Sequence, residues 1–133
     1  MEYEVALKIN PRFARAWLGL GEAAGRTGEK GAEVAVLRRA VAAGTDSALV
    51  WMRLADLELA AGDTAVAARS AEEATRLMPE MAQAWLLRGS LAEKAGRVAE
   101  AVTLYEKAMA AGLSDARLRA HVQGLRARRG TSR

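Results

Sequence analysis

Gly19-Leu20-Gly21-Glu22-Ala23-Ala24 has the spacing of a dinucleotide fingerprint, in which glycines let a backbone close on a pyrophosphate. That chemistry needs a strand before the glycines and a helix N-terminus after them. Here the segment sits within a helix-forming run anchored by Trp17, so no phosphate cradle is expected. His121 is the only histidine and the chain has no cysteine, which excludes a two-histidine or thiolate metal site. As a general base His121 lacks a nucleophile, because no serine stands in a recognisable nucleophile context. It reads as a solvated or edge residue. Glu72 and Glu73 are adjacent, point along different azimuths of a helix, and read as a solvated face rather than an acid/base pair. These residues predict no enzymatic activity, no cofactor and no bound metal.

What must position these side chains is a folded, water-soluble body. Hydrophobic residues are 51% and charged residues 27%, a balance that can bury a core and does not favour disorder. No apolar run approaches the roughly 20 residues that span a bilayer. Met1-Glu2-Tyr3-Glu4 lacks the basic and then apolar stretch of a signal peptide, so a cytoplasmic location is expected. The net charge of +4 is concentrated at one end. Residues 114–133 carry six arginines (Arg117, Arg119, Arg126, Arg128, Arg129 and Arg133) against Asp115, leaving the rest nearly neutral. Such a patch can contact nucleic acid or anionic lipid. Without interleaved aromatics it reads instead as a solvated cap, and nucleic acid is not the expected partner.

The organising signal is a repeat. Trp17, Trp51 and Trp85 are separated by 34 and 34 residues; Gly28, Gly62 and Gly96 keep the same spacing, as do Ala40, Ala74 and Ala108. Between these marks, apolar residues recur at three-to-four spacing in runs rich in Ala, Leu, Arg and Glu. This predicts helices near 2–9, 14–26, 30–43, 48–60, 64–77, 82–94, 98–111 and 115–128. Gly28, Gly62 and Gly96 are expected to end helices with positive φ, Gly44 and Gly112 to do the same, and Asp63 and Asp115 to cap.

The pattern resembles the tetratricopeptide repeat. The first unit supplies Trp17, Leu20, Gly21, Leu37 and Ala40. The second supplies Trp51, Leu54, Ala67, Ala74 and Pro79. The third supplies Trp85, Gly89, Ala101, Tyr105 and Ala108, while Tyr3, Ala6, Leu7 and Pro11 match the end of a preceding unit. Glu33 stands where a small Ala is usual, which predicts looser packing in the first hairpin. Arg88 replaces a Leu, and Thr45 and Leu113 replace the closing Pro. The resemblance implies an all-α, right-handed superhelical solenoid of antiparallel helix hairpins. It would form one domain over 1–133: half-repeat 2–11; repeats 14–47, 48–81 and 82–115; terminal helix 115–128; basic tail 129–133.

In that family the first helix of each hairpin lines a concave surface, and the function implied is a protein-interaction scaffold binding a peptide or helix. The matching positions are Arg15, Leu18 and Glu22; Leu49, Met52, Arg53, Asp56 and Leu59; Gln83, Leu86, Leu87, Ser90 and Lys94, with Arg117 and His121 beyond. The apolar row suits peptide capture, or packs beneath neighbouring helices. Arg15, Arg53 and Lys94 could orient a carboxylate. Family members that grip a chaperone's terminal carboxylate use asparagines here, and Asn10 is out of place for that. The unmatched half-units leave two readings: an arm of a larger protein, non-catalytic and structural or regulatory, or head-to-tail self-association through the end helices.

Overall fold

Strong helix formers separated by glycine-containing turns should produce short helices that cannot each bury an apolar face alone, and therefore pair. In the computed structural model, which describes residues 2–10, 12–29 and 31–131, eight helices follow in order. They are α1 (Glu2–Ile9), α2 (Ala14–Thr27), α3 (Ala32–Ala42), α4 (Ala48–Ala60), α5 (Thr64–Leu77), α6 (Ala82–Lys94), α7 (Val98–Ala110) and α8 (Ala116–Thr131). No strand occurs among the described residues. The fold is all-α, of the helical-repeat solenoid class. Pro11, Lys30 and Arg133, each of which the sequence reading used, lie outside the described residues.

The helices gather into two compact units, Met1–Glu73 and Ala74–Arg133. In the first, α1 packs on α2, α2 on α3, α3 on α4, and α2 also meets α4. Its core is Trp17, Val36, Leu37, Ala40, Val50 and Leu54, with Trp51 half-buried against it. In the second unit α6 packs on α7 and α7 on α8, around Ala92, Ala101, Val102, Leu104, Tyr105, Leu118, Val122 and Leu125. Ala40, Ala74 and Ala108, the recurring small residues, are all fully buried, as helices in close approach require.

Local chemistry explains where the helices stop. Gly62 and Gly96 take φ of 87° and 81°, as expected of left-handed turn residues. Gly28 does not: its φ is −99° and ψ −175°, an extended conformation, and the left-handed residue of that turn is Gly31 at φ 93°. Gly28 is needed for a different reason. A Cβ there would lie 2.6 Å from the Ala24 carbonyl and 2.9 Å from the Ala32 Cβ. Asp115 caps α8, its Oδ1 accepting the Arg117 amide at 2.8 Å.

Glu33 also has a physical account. Gly21 and Gly25 on α2 leave it room: a Cβ on Gly21 would stand 3.4 Å from Glu33 Cγ, and one on Gly25 3.1 Å from Oε1. Two glycines thus admit a longer side chain where an alanine is usual.

Candidate functional site

A helix in a stacked hairpin array buries one or two faces and leaves the remainder to water or a partner. On α2 the buried residues are Ala16, Trp17 and Gly21, and Arg15, Leu18 and Glu22 fall on the accessible remainder. On α4, Ala48, Val50, Leu54, Ala55 and Glu58 are buried, whereas Leu49, Met52, Arg53, Asp56 and Leu59 keep solvent access. On α6, Ala84, Gly89, Leu91 and Ala92 are buried, and Gln83, Leu86, Leu87, Ser90 and Lys94 are not. Exposure is uneven. Leu49 is 57% exposed, while Leu18 and Leu86 lean partly on the hydrophobic clusters of their own units.

The charges on these faces are not all free. Arg53 donates from Nε and Nη2 to the two Glu33 oxygens at 2.8 and 3.0 Å, a bidentate pair across α3 and α4. That hydrogen bond holds the guanidinium above its ordinary pKa, with Glu33, Asp56 and Glu22 adding favourable charge. Arg53 is therefore already paired, and Arg15 and Lys94 have no such partner among the described residues.

His121 on α8 is tied in rather than merely solvated. Its Nε2 lies 2.7 Å from Glu93 Oε1, which also accepts the Tyr105 hydroxyl at 2.8 Å. The two rings meet edge to face with centroids 5.8 Å apart. The His121 contact, then the Tyr105 bond, pull the Glu93 carboxyl below its usual range against the effect of burial. Tyr105 is pushed well up, first by burial and then by bonding to Glu93. The cluster is a bridge between α6, α7 and α8, not a nucleophile and its base.

Three features escaped the pattern analysis. Glu58, where that family's pattern has an aromatic, is buried, accepts the Ser70 hydroxyl at 2.6 Å and lies 3.5 Å from Arg38 Nη2. Arg39 stacks over Trp17 at 5.4 Å, and Lys107 over Trp85 at 5.0 Å. Both cations follow their tryptophan by 22 residues, a periodicity readable in the sequence. Arg88 also lies over Trp85, at 5.0 Å, and donates to Thr75 Oγ1 at 3.1 Å.

Two family models, both described as tetratricopeptide repeat, match residues 14–57 and 52–116. The chain belongs to the tetratricopeptide repeat family. No protein with a curated description matches it. Among solved structures it is similar to MamA, with a TM-score of 0.77 at 21% identity over 96% of this chain and 75% of that one. It is also similar to the first repeat domain of Spaghetti (RPAP3) bound to an HSP90 peptide, TM-score 0.73 at 14% identity over 89% and 94%. The repeat domain of Arabidopsis OM64 gives 0.71 at 18% identity over 86% and 94%. These likenesses show the fold. Tetratricopeptide repeats are protein-interaction modules, generally non-catalytic, and membership gives this chain the general character of an interaction scaffold. No described helix is long and apolar enough to cross a membrane.

Proposed function

We propose that the chain captures a peptide or helix of a partner protein on the accessible faces of α2 and α4 in the first unit and of α6 in the second. One observation carries the reading: all thirteen candidate residues retain solvent access, and none coincides with the buried positions of the same helices. Leu49, Met52 and Leu59 give the first unit an adaptable apolar strip beside charged residues; Leu86 and Leu87 do so in the second. Because Arg53 is committed to Glu33, Arg15 and Lys94 are the cations available to orient an acidic group.

The test uses the intact chain as bait, followed by an affinity measurement on what it retains. A Met52→Glu, Leu86→Glu double variant with unchanged helicity should lose binding by at least about tenfold, since charges enter two apolar contacts. Binding that survives the double variant, or that falls steeply with salt, would move the contact to the arginines of α8.

A second reading, self-association through the end helices, is supported by Val5 and Ile9, which are 55% and 81% exposed on α1. Light scattering that shows a monomer at high concentration removes it.

A further inference from the structure

The 34-residue register makes three places in the chain equivalent, each where a tryptophan-bearing helix meets the helices before and after it. They are not filled alike. In the second repeat, Glu58 reaches in from α4 and is held by Ser70 on α5 and Arg38 on α3. In the third, Arg88 lies over Trp85 and bonds Thr75, with Lys107 on the ring as well. In the first, the residue in register with Glu58 is Ala24, that with Ser70 is Val36, and that with Arg88 is Leu20. None of these can reach across as Glu58 or Arg88 does. An open cleft of about 500 Å³ lies between α1, α2 and α3, lined by Glu4, Leu7, Lys8, Trp17, Leu20, Val36 and Arg39.

The cleft's size lies inside the range of about 300–1,000 Å³ typical of small-ligand sites. Leu7, Leu20 and Val36 give it apolar walls, with Trp17 between them. Its charged edge holds two cations against one anion. Arg39 is held 5.4 Å from the Trp17 ring centroid, and neither it nor Lys8 has a carboxylate within ion-pair distance among the described residues. A guanidinium stacked on an indole keeps its in-plane N–H donors free for an oxyanion.

We propose that this cleft binds an apolar acid, with the hydrocarbon against Leu7, Leu20 and Val36 and the carboxylate on Arg39 and Lys8. The same chemistry is offered by a free small acid and by the C-terminal apolar residue of a polypeptide. It is a site apart from the accessible faces of α2, α4 and α6.

The experiment titrates the full chain with 4-phenylbutyrate and with its neutral amide, followed by calorimetry and by NMR of the indole and methyl signals. The acid is expected to saturate and to shift Trp17, Leu20 and Val36. The amide should bind at least about tenfold more weakly, the usual weight of a charge-assisted bond. Arg39→Gln, an exposed position, should reproduce that tenfold loss with unchanged helicity. Ala24→Glu with Val36→Ser and Glu4→Arg, which copies the Glu58, Ser70 and Arg38 of the second repeat, should abolish binding; if that variant does not fold, Arg39→Gln decides alone. A peptide ending in Phe that binds more tightly than phenylbutyrate, and loses this on amidation, identifies a chain terminus as the source. Equal binding identifies a free acid. Equal affinity for acid and amide, an Arg39→Gln variant that binds as well as wild type, or no shift at the cleft residues overturns the proposal.

Discussion

The first and second repeats share a tryptophan wedge and a buried alanine 23 residues later, yet the space beside the wedge has opposite fates. On the helix of Trp51 a buried carboxylate, Glu58, ties α4 to Ser70 and Arg38. Beside Trp17 a cleft stays open, walled by Leu7, Leu20 and Val36, and the residues in register with Glu58 and Ser70 are Ala24 and Val36. A repeat therefore conserves shape at the positions where helices touch and spends its variation in the gaps between them. Two structures with one backbone plan can differ in whether they hold a ligand-sized void.

The strongest test of this comparison is at the wedges. Trp17 is 5% exposed and central to its cluster, whereas Trp51 is half-buried. Truncating Trp17 to Ala should cost about 3–5 kcal/mol of stability, and Trp51→Ala should cost less. Urea unfolding of both variants checks the order; a larger loss at Trp51 would mean that the open niche beside Trp17 already weakens that wedge. Next in size is the polar filling. Ser70→Val removes the hydroxyl from buried Glu58 and should destabilise by about 1–3 kcal/mol, the cost of leaving a buried acceptor short of a partner. Adding Glu58→Ala should recover part of that loss, since the orphaned carboxylate goes too, and should open a second void. If the double variant is simply additive, Glu58 and Ser70 do not act as one unit.

Sequence alone revealed the skeleton because the skeleton is periodic. Trp17, Trp51 and Trp85 set the register, and the expected helices agree with those observed to within two residues at every end but the last, where α8 runs to Thr131, three residues past the expected 128 and into the stretch read as a tail. The turns were less legible. Gly28 shares the spacing of Gly62 and Gly96 but is extended, because Gly31, outside the repeat, supplies the left-handed residue three positions later. Glu33 looked like a packing fault; only the structure shows Gly21 and Gly25 making room for it and Arg53 meeting its carboxylate. The accessible faces of α2, α4 and α6 followed from the family register. Their ion pairing did not, since Arg53 and Glu33 lie 20 residues apart on different helices.

The smallest expected effect separates two carboxylates at neighbouring register positions, buried Glu58 and half-buried Glu93. Glu93 is the one whose titration should be visible. Its carboxyl is held below the ordinary range chiefly by the His121 hydrogen bond and then by the Tyr105 hydroxyl, with Arg128 contributing charge. In acid the unfolded chain therefore takes up this proton before the folded one does. The stabilisation is present in full above the ordinary carboxylate range and drains away as pH falls through the lowered folded value. Because the His121 side chain is 47% exposed, solvent screening should keep the amount below about 1 kcal/mol. Melting temperature measured from neutral pH down to about pH 3 should fall more steeply in wild type than in Glu93→Gln. Parallel curves would show that the bridge from α6 to α8 contributes nothing in solution, leaving Leu118, Val122 and Leu125 to hold that helix by apolar burial alone.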